Sequence, residues 1–205
     1  YWCAVTMTRD EIRGHIISPR CQAFFDYWWS LKDTMSGRIP RKDEFDPAAI
    51  TSILPYLATH DFRTPGKFMI RQFGTAIRDR MGADMTGRDY LDFVPQSTRD
   101  EVYQSLCRLA DKPSAFRSIM ETLQKSDKFT VSENLGFPFL DDQCDRPIIV
   151  MVNDLVEAPK YLPRPEEMEL EILGPLEMIY IDLGFGIPDA EMTRIVLENR
   201  RILRR

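Results

Sequence analysis

Histidine is almost missing from this 205-residue chain, which carries only His15 and His60, far apart. Two isolated imidazoles leave few bases for nucleophilic chemistry, and no Gly-x-Ser-x-Gly turn presents a nucleophile to them. Cysteine is sparse too: Cys3, Cys21, Cys107 and Cys144 are widely spaced with no C-x-x-C pair, the pattern of reduced thiols in a cytoplasmic protein. No apolar run approaches the roughly 18 residues of a membrane span. Tyr1–Met7 holds no long apolar run behind basic charge, so no signal peptide is expected and Met7 stands as a candidate alternative start. Basic charge is also short, with 27 Lys and Arg against 32 Asp and Glu. Only Arg200-Arg201 and Arg204-Arg205 are locally basic, and nucleic acid, which needs clustered cations, is not the expected partner. No Gly-Lys-Ser/Thr occurs, and Asp182-Leu-Gly-Phe-Gly lacks the third glycine of a dinucleotide turn. Asp141-Asp142-Gln143-Cys144-Asp145 is the densest set of potential metal ligands, but it lacks the alternating spacing and glycine of a calcium loop. It reads instead as a hairpin turn, and no metal site is expected.

Apolar residues make up 43% of the chain, enough for one domain plus extensions. Ser18-Pro19 followed by CQAFFDYWWSLKDTMSG supplies a cap, a first-turn proline and a terminal glycine for a helix. Phe24, Trp28 and Leu31 share one face of it, widened by Phe25 and Trp29. Such a stripe packs on its own domain or, through Phe24, Trp28, Trp29 and Leu31, forms a dimer contact. Asp46-Pro47 opens a short helix, and residues 56–62 and 67–77 read as a hairpin turning at Thr64-Pro65-Gly66. Thr98 and Glu101 have the capping-box form at the start of a helix bearing Val102, Leu106 and Leu109. Residues 114–123, 129–140 and 146–156 read as three further strands. The expected fold class is α+β: a five-stranded antiparallel sheet with short helices on one face, the N-terminal arm covering the other, and a C-terminal strand and helix (189–203) beyond an acidic linker at 157–170. The units are expected as 1–46 for the arm and its loop, 47–158 for the sheet domain and 159–205 for the extension.

Between these strands, residues 73–95 are punctuated by Gly74, Gly82 and Gly87. Gly74 ends a strand at a sharp turn, and the other two supply positive φ at the ends of single helical turns. Asp84, Thr86 and Asp89 are placed to cap the pieces between them, so the glycines read as geometric rather than phosphate-binding. Arg71-Gln-Phe-Gly-Thr-Ala-Ile, Met81-Gly-Ala-Asp-Met-Thr-Gly-Arg and Leu91-Asp-Phe-Val-Pro, in this order, resemble a PAS domain. The preceding stretch from Trp29 to Phe62 resembles the PAS_5 type, small stand-alone proteins of alphaproteobacteria. The resemblance covers roughly residues 25–156.

That resemblance implies a sensory or regulatory module with a cavity between sheet and helices. Photoactive flavin members resemble Asn-Cys-Arg-Phe at the capped helix; residues 94–107 carry no such string and Cys107 lies at its far end, so a flavin adduct is not expected. Haem needs an axial donor, and neither His15, in the arm, nor His60, read as a hydrogen-bonded strand-end residue, fits that role. The expected ligand-binding candidates are Arg71, Phe73, Tyr103, Arg117, Ile119 and Asn153, with Arg71 or Arg117 pairing a carboxylate. The resulting expectation is a non-catalytic module that binds a small molecule or a signalling protein, as a homodimer. Competing readings are a ligand-free interaction adaptor and a small enzyme using His60 and Asp61. Strand neighbours point to opposite faces, which speaks against that pair.

Overall fold

The computed structural model describes residues 8–124, 128–143, 146–161 and 171–188. The arm contains two helices. α1 (Arg9–His15) opens with a capping box in which the Thr8 hydroxyl accepts from the Glu11 N–H at 3.3 Å and the Thr8 N–H donates to the Glu11 carboxylate at 2.7 Å. α2 (Pro19–Thr34) is capped by Ser18, as its sequence predicts.

Short turns then lead into β1 (Leu57–Asp61) and β2 (Met69–Phe73). β2 ends at Gly74, where an added Cβ would fall 2.3 Å from the Pro55 carbonyl oxygen, so only glycine fits. The chain enters α3 (Thr75–Met81), which stops at Gly82 with φ of 72°. Asp84 and Asp89 accept from the N–H groups of Thr86 and Leu91 at 2.9 and 3.1 Å, the capping role read from sequence. α4 (Arg99–Asp111) follows without the expected capping box: the Thr98 hydroxyl donates to the Pro95 carbonyl at 3.2 Å, closing a 3-10 turn.

β3 (Ala115–Leu123), β4 (Lys128–Phe139) and β5 (Ile148–Leu155) complete the five expected strands, and β6 (Lys160–Tyr161) and β7 (Glu171–Ile181) add two. The main sheet order is β2-β1-β5-β4-β3-β7, all antiparallel, with β6 beside the start of β4. The C-terminal strand thus joins the sheet itself. As an edge strand β7 tolerates Pro175. Residues 189–203, where a helix was expected, lie outside the described residues, as do Cys144 and Asp145.

Helices cover both faces, so alternate residues of the central strands enter two different interiors. Phe24, Phe25 and Trp28 are fully buried against Leu135, Phe137 and Phe139. Trp28 stacks on Phe137 at 4.6 Å, and its indole N–H donates to the Pro138 carbonyl at 3.1 Å. Phe24 and Trp28 therefore have no exposed area to offer a second copy, because they form this chain's own core. Trp29 and Leu31 are half-buried.

The same face holds a buried ionic network. Arg117 Nε donates to Glu133 at 2.6 Å and its Nη1 to Glu177 at 2.6 Å. Glu133 also accepts from the backbone N–H groups of Ile17 and Ser18, at 3.1 and 2.7 Å, while the Ser18 hydroxyl donates to Asp154 at 2.7 Å. The start of α2 is thereby tied to β4 and β5.

Candidate functional site

On the opposite face, between the sheet and the layer from α3 to α4, lies a cavity of about 720 Å3, a volume organic ligands occupy. Pairing registers arrange its floor in rows. Ser118 stands opposite Asn134, and Asn134 opposite Asn153, a polar row across β3, β4 and β5. The next row is apolar: Phe116, Gly136, Met151 and Ala58. A Cβ at Gly136 would meet the Phe116 ring at 2.4 Å, so glycine lets that ring lie across the sheet. His60 stands opposite Ile149 at the far end. Phe73, Met81 and Met85 contribute to the remaining wall, and Met178 and Tyr180 of β7 close one side.

Two buried polar atoms of this lining have no partner among the described residues, Asn153 Oδ1 and His60 Nδ1. Asn153 Nδ2 donates to Ser132 Oγ at 3.1 Å and to Asn134 Oδ1. His60 is 3% exposed, stacked on Phe68 at 4.9 Å with Tyr90 edge-on at 6.0 Å. Burial pushes the imidazole pKa down to about 4 and that of the Tyr90 phenol up to about 12. Both are neutral at pH 7. The charged lining residues Asp100, Glu101 and Arg108 are exposed on α4, and none lines the floor.

The His60 shift has a stability consequence. Its folded pKa lies below the ordinary value near 6.5, so the unfolded chain binds the proton first as pH falls. The contribution is complete above pH 6.5 and is lost progressively down to about pH 4. Wild type is expected to lose about 3 kcal/mol more than His60→Phe across that window, measured by urea denaturation at stepped pH. Parallel pH curves would show that His60 is not held neutral.

Of the six residues singled out from sequence, Phe73 and Asn153 line the cavity. Arg71 does not: it clamps Asp61 at 2.8 and 3.0 Å. Burial would raise the Asp61 carboxyl, but hydrogen bonds from Arg71 and Arg63 outweigh it and hold the pKa below the usual range. Arg117 and Ile119 share the parity that faces the arm, and Arg117 is committed to Glu133 and Glu177. Tyr103 accepts from the Gly66 N–H at 3.1 Å, outside the cavity. His60 lines the cavity while its neighbour Asp61 does not, in keeping with strand alternation. Sequence reasoning did not single out Ser118, Ser132 or Asn134. Their signal is small polar side chains at alternate positions of β3 and β4, Ser118 on the one and Thr130, Ser132 and Asn134 on the other.

Cys107 is buried on α4, with Arg146 Nη1 3.2 Å from its sulfur, and is not part of the lining. Asp141 accepts from the Gln143 N–H at 3.0 Å, the turn role expected of it. No group of three or more metal-ligating side chains occurs among the described residues, and none of their helices is long and apolar enough to cross a membrane.

An antiparallel sheet with an internal cavity under short helices is the architecture of a PAS-like sensor fold. A model of the PAS domain family, PAS_5, matches residues 16–149, well over half of the sequence, and the chain belongs to that family. PAS domains are in general non-catalytic sensory or regulatory modules. A comparison with curated proteins gave no match.

Proposed function

We propose that this PAS module is a non-catalytic sensor that binds a small organic molecule in the cavity between its sheet and α3–α4, through Phe73, Asn153 and their neighbours. The observation carrying this reading is a 720 Å3 apolar space that contains two buried polar atoms with no protein partner among the described residues. An unsatisfied buried acceptor is costly, and a ligand that reaches it removes that cost. The reading includes a homodimer through the arm's outer surface, where Trp29 and Leu31 are half-buried and Ile17 is 59% exposed.

Native mass spectrometry of freshly purified protein, set beside the denatured mass and an absorbance scan, tests both parts. Extra mass lost on denaturation is expected, on a species of twice the monomer mass. Twice the monomer mass with nothing added would favour a ligand-free adaptor. A native mass equal to one chain would remove the dimer.

A further inference from the structure

Resting on the sensor reading, the chemistry of the cavity narrows the class of ligand. The buried polar atoms of its sheet floor that lack a partner among the described residues sit at two poles. One is the Ser118–Asn134–Asn153 row, with Ser132 beside it and Asn153 Oδ1 unpartnered; the other is His60 with its unpartnered Nδ1. His60 pairs with Ile149, four residues before Asn153 on β5. At the rise of an extended strand the poles are about 13 Å apart. Between them the floor is Ala58, Met151 and Phe116, and the polar side chain that continues this row on β7, Tyr180, has its hydroxyl 3.4 Å from that of Ser105.

Charge is matched nowhere along this floor. Arg117 and Glu133, the strand residues next to Ser118, Ser132 and Asn134, point to the arm and satisfy each other. A buried ionic end would find no counter-charge at either pole and would be disfavoured relative to a neutral one. We propose that the cavity takes an elongated, uncharged molecule with a hydrogen-bonding group at each end, one of them a hydroxyl or amide N–H donating to Asn153 Oδ1, and an apolar middle. Asn153 is then a specificity-determining residue, with His60 the partner of the opposite end. The Met81 and Met85 side chains, unbranched and adaptable, let the middle vary in shape.

The test uses the full chain and the neutral dye N-phenyl-1-naphthylamine, displaced by three length-matched probes: 1,10-decanediol, the decane dicarboxylate and 1,10-diaminodecane. The expected result is dye binding, displacement by the diol, and displacement by the dianion and dication at least tenfold weaker. Asn153→Leu is expected to weaken displacement by the diol about tenfold, the scale of one lost hydrogen bond, with dye binding retained. His60→Phe should do the same from the other pole. Retained dye binding shows that each variant still folds around the cavity. Dye bound, but displaced equally well by a charged probe or equally well from Asn153→Leu, overturns the class of ligand alone. Neither dye nor diol binding, with no copurified mass, overturns the sensor reading with it. A visible absorbance band in the purified protein would replace the uncharged rod with a chromophore.

Discussion

Glu133→Ala is expected to lower the unfolding free energy by about 3–5 kcal/mol, read from urea denaturation. The carboxylate is fully buried, and its removal strips the 2%-exposed Arg117 of its buried partner and leaves the Ile17 and Ser18 N–H groups without their acceptor. The arm should become the first segment cut by protease, because Glu133 and Asp154 tie the start of α2 to the sheet. Replacing both partners, Arg117→Leu with Glu133→Leu, should recover much of the core stability, since two apolar side chains need no counter-charge. A loss below about 1 kcal/mol for Glu133→Ala would mean that the network is not what holds the arm.

Trp28→Ala should be comparably severe, about 3–5 kcal/mol, because it opens a void in a fully packed aromatic core. Phe24 and Phe137 pack against each other at 5.7 Å, Phe137 stacks on the indole, and the Pro138 carbonyl loses its donor. The drop in Tm should be the same at low and high protein concentration. A core defect within one chain behaves that way, whereas loss of a subunit contact makes Tm concentration-dependent. A concentration-dependent drop would return Trp28 to the role of an interface residue.

Most of the element boundaries could be read in the sequence, because they rest on local rules. Ser18-Pro19 starts α2, Asp46 and Asp89 cap their turns, and the strands of the central sheet alternate between turn signals. Covering the sheet's second face with the arm followed from one aromatic stripe that had to be buried. The site was less legible. A strand buried on both faces has the same period of two whichever interior is chosen, so nothing local decides whether Arg117 or Ser118 faces a ligand. The deciding facts are the acidic partners of Arg117, which lie 16 and 60 residues away along the chain. Arg71 failed for the same reason, its partner Asp61 being reached across a hairpin. The expected Thr98 box met a tertiary preference: the hydroxyl closes the turn from Pro95 instead. Phe73 and Asn153 line the cavity, and for Asn153 the decisive neighbours, Asn134 and Ser132, become visible only once β4 and β5 are in register.

Arg117 lies one residue from Ser118, so the guanidinium also acts as a key for strand alignment. If β3 slipped by one position against β4, the charge would swing into the cavity, and Ser118 and Met120 would press into the arm's aromatic packing. Arg117 stands opposite Leu135 and reaches diagonally to Glu133, which faces Ile119; a slip of two that lengthens this diagonal would restore the faces but add about 7 Å to the offset of the pair along the strands. A slip of one in either direction takes the buried cation away from the face that holds its counter-charge. The tether that holds the arm down thereby also fixes which side chains a bound molecule can meet.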